Sequence, residues 1–448
     1  MCVRVKKLSA VLERIVQTSD LPSNFDDTFI DKLVAFVNCA FLGRKQQQRF
    51  NCDTAWDEPV SDFIVEVWKQ LQSGSKISRE AIVLALRLLP LIANCNSFKQ
   101  DSGSNLLFVC RSEEVWKNSA QIRNAAFECV TELITNADLF CSVAVSSLTD
   151  ASESWFVKLS AQRFLRKALG QQAAAKESCL HQLLSTLVTK PPDHQSITVV
   201  SELLLDFSEE LTGERFVDSA VGQFRTDSEP FWTLVANFLL KEDKQRIETL
   251  LFETKWQCRI GRLCVLKCLI ENSHAYRITD VGRYKEDTEL LLLKELLNPL
   301  RDNKRMERKV VLRCLKHLAQ LADCLSETEC QMVLYQLLEM IESPENLSAS
   351  VRSASITCLQ SFVDKNRLNS EQLERLVVWT SKHFVLSHPD LFESVVVCCI
   401  HNDIRLDLTG LVQNLCTTLI GKTDWESRDT AAELLRFLLL RFAGQLAN

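Results

Sequence analysis

Two stretches, Ala126-Phe127-Glu128-Cys129-Val130-Thr131-Glu132-Leu133-Ile134 and Ala161-Gln162-Arg163-Phe164-Leu165-Arg166-Lys167-Ala168-Leu169, carry one pattern. A small residue at i is followed by apolar residues at i+3, i+4, i+7 and i+8, the stripe along one face of an α-helix. The same template is anchored at Ala85, Gly261, Val311, Ser355 and Ala431, and weaker copies begin at Val200 and Phe392. In the last full copy it takes in Leu434, Leu435, Leu438 and Leu439 and runs on to Phe442. Ala85, Ala126 and Ala161 are 41 and 35 residues apart, and Val311 and Ser355 are 44 apart. Spacings of this size fit helix pairs, each too small to bury its own apolar face and stacked on its neighbours.

A second regularity accompanies the first. Three residues before the anchor stands a cation at Arg123, Lys158, Arg308, Arg352 and Arg428. An amphipathic helix has no general reason to fix a charge there. A polar ladder between neighbouring repeats accounts for it better than a merely solvated first turn. The expected fold is therefore all-α, a solenoid of stacked helix pairs. One continuous array would fill residues 1–448, with N-terminal repeats to about 170, middle repeats to about 300 and C-terminal repeats beyond, roughly nine to eleven pairs in all. The connectors read as 46–62, 94–105, 191–196, 208–230, 272–287 and 343–349; the first and fourth carry Phe50, Trp56, Phe216 and Phe224.

Composition agrees. The 448 residues include only 11 Gly and 9 Pro, too few for the turns of sandwiches and barrels or for most glycine-loop enzymes. Hydrophobic residues at 46% supply a large core. A net charge of −6 lacks the basic excess of most nucleic-acid binders, so no direct nucleic-acid contact is expected. Eighteen cysteines are scattered along the chain, as small hydrophobes in a reducing compartment. No run approaches a membrane span, and the N-terminus does not read as a signal peptide.

Chemistry-bearing motifs are sparse. Gly421-Lys422-Thr423 would end a phosphate loop only with glycine at 416, where Cys416 stands; a helix-ending glycine explains it. Cys258, Cys264 and Cys268 approach His274, and Cys398 and Cys399 precede His401, but no Cys-x-x-Cys pair exists. The seven histidines form no zinc-protease pattern. No catalytic residue, metal or cofactor is expected. The candidate protein-binding residues are the basic run Lys304, Arg305, Arg308 and Lys309, with Phe437 and Leu440 on the last helix. The run reads as a localisation or acidic-partner site, or as the solvated first turn of a helix. Phe437 and Leu440 lie off the inward stripe, as an interaction face or a self-association surface would.

Ile122-Arg123-Asn124-Ala125-Ala126 and Val351-Arg352-Ser353-Ala354-Ser355 resemble the valine-arginine-x-x-alanine signature of HEAT repeats. Three longer segments resemble, in order, one HEAT/armadillo family: Asp26-Asp27-Thr28-Phe29-Ile30-Asp31-Lys32-Leu33, Ser154-Trp155-Phe156-Val157-Lys158-Leu159-Ser160-Ala161, and Trp425-Glu426-Ser427-Arg428-Asp429-Thr430-Ala431. That family is the BRCA1-associated activator of the ATM kinase, abbreviated BRAT. The resemblance implies a right-handed superhelical solenoid of HEAT/armadillo-type helix pairs, and a non-enzymatic scaffold of the nucleus and cytoplasm, partnered with DNA-damage signalling kinases and the endonuclease subunit of the Integrator RNA-processing complex. Family members continue for several more repeats and a C-terminal tail. An importin-like nuclear transport receptor is the alternative, and a cryptic enzyme a third class.

Overall fold

The computed structural model describes residues 10–12, 14–15, 32–35, 57–73, 77–92, 119–133, 137–171, 176–189, 193–212, 214–242, 244–278, 286–301, 306–342, 347–383, 389–402, 404, 406–421 and 424–446. Every regular element among them is helical. In chain order these are α1 (Asp57–Gln72), α2 (Arg79–Ile92), α3 (Ala120–Leu133), α4 (Ala137–Thr149), α5 (Trp155–Gln171), α6 (Lys176–Thr189), α7 (His194–Leu205) and α8 (Glu214–Gln223). They continue with α9 (Glu229–Leu239), α10 (Lys244–Glu248, with a π-turn to Glu253), α11 (Arg259–Ile278), α12 (Glu286–Arg301), α13 (Arg308–Leu321) and α14 (Glu327–Glu342). Last come α15 (Ala349–Asp364), α16 (Ser370–His383), α17 (Pro389–His401), α18 (Leu408–Gly421) and α19 (Trp425–Leu446).

The chain falls into two compact units, Met1–Phe216 and Val217–Asn448. In the first, α2, α3, α5 and α7 stack in sequence as one row, with α4 and α6 packed behind them. In the second, α9, α11, α13, α15, α17 and α19 form one row and α12, α14, α16 and α18 another. Each unit is thus a helix-pair stack of the solenoid kind. The template of small and apolar residues marks one row only: all nine anchors, strong and weak, fall on helices of the α2–α7 or α9–α19 rows. Ala85, Ala126, Ala161, Val311, Phe392 and Ala431 are buried to within 3% of full enclosure, because a small or inward-facing residue there lets adjacent helices close.

Side-chain caps do the work that glycine turns do elsewhere. Asp193 Oδ1 accepts from the Ser196 N–H to start α7, and Asp424 Oδ1 from the Ser427 N–H to start α19. Two capping boxes begin second-row helices. Ser326 Oγ accepts from the Glu329 N–H while Glu329 accepts from the Ser326 N–H, and Asn369 and Gln372 exchange the same pair of bonds. α15 is closed by Asn366, two residues past its end, whose φ of 52° is left-handed, and the Arg367 N–H reaches back to the Phe362 carbonyl. Asparagine there closes the helix without glycine.

Five expectations are corrected. The stretch 208–230 is not a plain connector, since it holds a 3₁₀ turn (Ser208–Glu210) and α8; Phe216 and Phe224 are buried, as expected of them. α11 runs to Ile278, well into the supposed 272–287 connector, and α1 starts at Asp57, inside 46–62. The 61-residue gap between Val200 and Gly261 contains a further repeat helix, α9, with Trp232, Val235, Ala236 and Leu239 at the template positions. A tryptophan at the anchor hid it. Finally, Leu439 is 51% exposed rather than inward. In α5 the equivalent Leu169 is buried, and α7 packs against that helix; among the described residues α19 packs on α17 and α18. Phe50, Trp56 and the 94–105 connector lie outside the described residues.

Candidate protein-interaction surfaces

The expected ladder runs through the first unit. Arg123 of α3 makes a two-pronged ion pair with Glu153, just before α5, at 2.6 and 2.8 Å. Lys158 of α5 reaches Asp193, the cap of α7, at 2.8 Å. Ser160 donates to Asn124, Gln162 bonds to Glu202 and the Val199 carbonyl, and Arg166 pairs with Asp206. Lys158 is wholly buried and Asp193 about a third exposed, so this pair lies at the seam rather than on the surface. Burial works against the Asp193 charge. The hydrogen bonds from Lys158 and from the Ser196 backbone and hydroxyl outweigh it and hold the carboxyl down to about 2. Arg308, Arg352 and Arg428, by contrast, are exposed, which fits the solvated first turn. The second unit also has ion pairs at other positions: Arg262 with Glu295, Arg313 and Lys316 with Glu229, and Lys365 with Asp323.

The nearest approach to a reactive pair is Cys264 and His317, on adjacent helices α11 and α13 with Sγ 3.3 Å from Nε2. Thiol beside imidazole is the geometry of an activated nucleophile. Here burial pushes the Cys264 thiol up to about 12 and the His317 imidazole down to about 4, so both are neutral. The S–H then donates to Nε2, and Nδ1–H donates to the Gln320 side-chain oxygen at 3.3 Å. A protonated, enclosed thiol is inert, and the pair is structural. Its signature is in acid. The unfolded chain takes up a proton near 6.5 and the folded chain only near 4, so stability is full above 6.5 and falls between 6.5 and 4. The loss is about 3 kcal/mol, and His317→Gln should flatten the urea midpoint over that interval. An equal slope in the variant would place the titration elsewhere. The thiols of Cys258, Cys268, Cys314, Cys358, Cys398 and Cys399 are likewise raised by burial. Among the described residues no His/Cys/Asp/Glu group has metal-holding geometry, and no helix is long and apolar enough to cross a membrane.

The residues singled out from sequence do not form one site. Lys304 and Arg305 lie outside the described residues. Arg308 and Lys309 are exposed on the first turn of α13. Phe437 is half-buried against the cluster of Phe392, Val396, Leu411, Leu415, Ala431, Leu434, Leu438 and Phe442, with the Arg441 guanidinium 5.9 Å from its ring centre. It also lines a pocket of about 320 Å³ bordered by Glu393, Val397, Cys398 and His401 of α17. Leu440 is 75% exposed. Of the two residues taken as lying off the inward stripe, only Leu440 is open. Gly421 is the last residue of α18, as a helix-ending glycine should be.

Two apolar surfaces were not picked out from sequence as sites. Trp155 and Phe156, on the first turn of α5, are 41% and 43% exposed, while Val157, Lys158 and Ala161 of the same segment are buried. Trp425 is 71% and Ile420 85% exposed, at the junction of α18 and α19. The sequence signal for Trp155 and Phe156 was present. They precede the first inward position, so the helical period leaves them outside the seam.

No family model and no curated protein matches the sequence. Among solved structures the chain is similar to a mutant of Kap121p, with a TM-score of 0.45 and 12% identity over 99% of this chain. The match takes in 50% of Kap121p, so the chain spans about half the length of that protein.

Proposed function

We propose that the chain is a non-enzymatic scaffold that binds other proteins through the faces of its stacked helices. Helix-pair stacks hold macromolecules on extended surfaces rather than in a closed cleft. The observation that carries the reading is the Trp155–Phe156 pair. Two adjacent large aromatics are each about two-fifths exposed on a helix whose next turns are locked in the core, and aromatics are the residues most enriched where proteins bind proteins. They also belong to one of the segments that resembles the BRAT family. By that resemblance the partners are DNA-damage kinases of the ATM type and the Integrator endonuclease subunit, in nucleus and cytoplasm.

The test is affinity purification of the full chain and of its Trp155→Ser/Phe156→Ser variant, read by mass spectrometry. Kinase and Integrator subunits should be enriched with the unmodified chain and fall at least tenfold with the variant, whose melting temperature should stay within about 2 °C of it. Recovery of Ran and transport cargo instead would favour the importin-like alternative. Undiminished capture by the variant would remove the aromatic pair from the binding surface.

A further inference from the structure

We propose that the outward face of α13 docks an acidic segment of a partner protein, one that carries carboxylates about a helical turn apart with an apolar side chain between them. The surface is separate from the Trp155–Phe156 pair. Buried Val310, Val311, Cys314, Leu315, Leu318 and Leu321 define the inward side of α13. At 100° per residue, Lys309, Leu312, Arg313, Lys316 and Gln320 fall on the other side, and none of them is buried. Three cations thus stand within about two helical turns, around one partly exposed leucine.

The charges already present select the occupant. Glu229, from α9 two places back in the row, reaches across α11 and sets its Oε2 3.1 Å from Arg313 and 2.9 Å from Lys316. One carboxylate is therefore shared by two cations. Arg308 and Lys309, on the first turn of α13, make no ion pair among the described residues, and Arg259 Nη1 of α11 lies 3.5 Å from the Met306 sulfur. Asp227 and Glu307 are exposed beside the same helix starts and count against this excess. Even so, Arg259, Arg308, Lys309, Arg313 and Lys316 outnumber Asp227, Glu229 and Glu307, in a chain whose net charge is −6. Farther along the row Lys267 pairs with Glu271 and Asp323 with Lys365, so those charges cancel. An acidic peptide fits the mixture better than a nucleic acid. The exposed aromatics Trp155, Phe156, Tyr335 and Trp425 lie on other helices, so among the described residues no exposed ring is placed here to stack a base. A phosphate backbone carries charge at every unit and would run past Asp227 and Glu307 as well. A peptide sets its carboxylates on the cations alone and an apolar side chain on Leu312.

The test is fluorescence anisotropy of the full chain with a short labelled peptide of the repeat glutamate-glutamate-leucine-glutamate. Binding should saturate and weaken with added salt. Lys309→Glu and Lys316→Glu should each raise the dissociation constant about tenfold without moving the melting temperature, since both side chains are exposed. Lys294→Glu, the same change of charge at an exposed position of α12, should leave it unaltered. Glu229→Gln should tighten binding about threefold, because it frees Arg313 and Lys316 for the peptide. Serine in place of the peptide's leucine should weaken it severalfold. Absence of saturable binding overturns the proposal. So does an affinity indifferent to Lys309→Glu, to Glu229→Gln or to the loss of the leucine. Equal weakening by Lys294→Glu would leave only the overall charge of the chain as the cause, and a poly-thymidylate strand bound more tightly than the peptide at the same salt would make the surface a nucleic-acid site; either result also overturns it.

Discussion

Asp193→Ala should destabilise the first unit by about 4 kcal/mol, far more than an ordinary surface carboxylate. The residue caps α7 through the Ser196 N–H, and losing such a cap costs about 1 kcal/mol. The larger part comes from Lys158, which is wholly buried on α5 and would be left as an ammonium without its counter-charge. Asp193→Asn keeps an acceptor for both partners and should cost roughly half as much. Lys158→Met removes the charge but keeps the volume, and on that background Asp193→Ala should cost little beyond the cap. The same pair sets an acid limit. The Asp193 carboxyl titrates near 3.8 when unfolded and near 2 when folded, so its contribution is complete above 3.8 and disappears as pH falls through 2. Urea midpoints and hydrogen exchange at the α5 and α7 amides would measure both effects. A loss under 1 kcal/mol for Asp193→Ala would mean that Lys158 finds water in the folded state.

The Lys158–Asp193 pair also shows how far sequence reaches. The offset of Lys158 from Ala161 marked it as one rung of a ladder, and its own seam confirms that. The same offset at Arg308, Arg352 and Arg428 leads only to exposed side chains. Glu153 and Asp193 sit just before the next helix of the row, where a three-residue lead in the preceding helix can reach them. Offset in one helix says nothing about what the neighbouring loop supplies. Helical periodicity located the stacked row well because burial repeats with the period that the sequence displays. It did not place Phe437, whose half-burial depends on a groove between α17 and α19, nor the Cys264–His317 contact, which joins positions 53 residues apart. Such contacts belong to the packing of whole helices and have no local signature.

The missed repeat α9 leads to the other large effect. Most anchors in the row are small, yet α9 presents Trp232, fully buried and donating from Nε1 to the Thr226 carbonyl at 2.8 Å. The next helix compensates with Gly261 at its own anchor. A β-carbon there would lie 2.1 Å from Trp232 Cε2 and 2.4 Å from Cζ2, inside any tolerable contact. The ring cannot yield easily, since Phe231 and Trp256 pack at 5.0 and 5.8 Å between ring centres. On helix propensity alone, Gly261→Ala would stabilise α11 by about 1 kcal/mol. Overpacking should reverse the sign and cost about 3 kcal/mol. Trp232→Leu should cost a similar amount by leaving a cavity and by removing the indole's bond to the Thr226 carbonyl, to which the Cys258 thiol would still donate at 3.2 Å. The two changes compete for one space, so Gly261→Ala on the Trp232→Leu background should be neutral or slightly stabilising, a coupling of about 3 kcal/mol in a double-mutant cycle. That background restores what α3 and α5 already have at this position, alanine at the seam, and the volume lost from one helix is partly returned by the other. If Gly261→Ala costs the same with leucine at 232, the glycine serves the backbone of α11 and not the tryptophan, and the exchange of large for small across this seam is not what closes it.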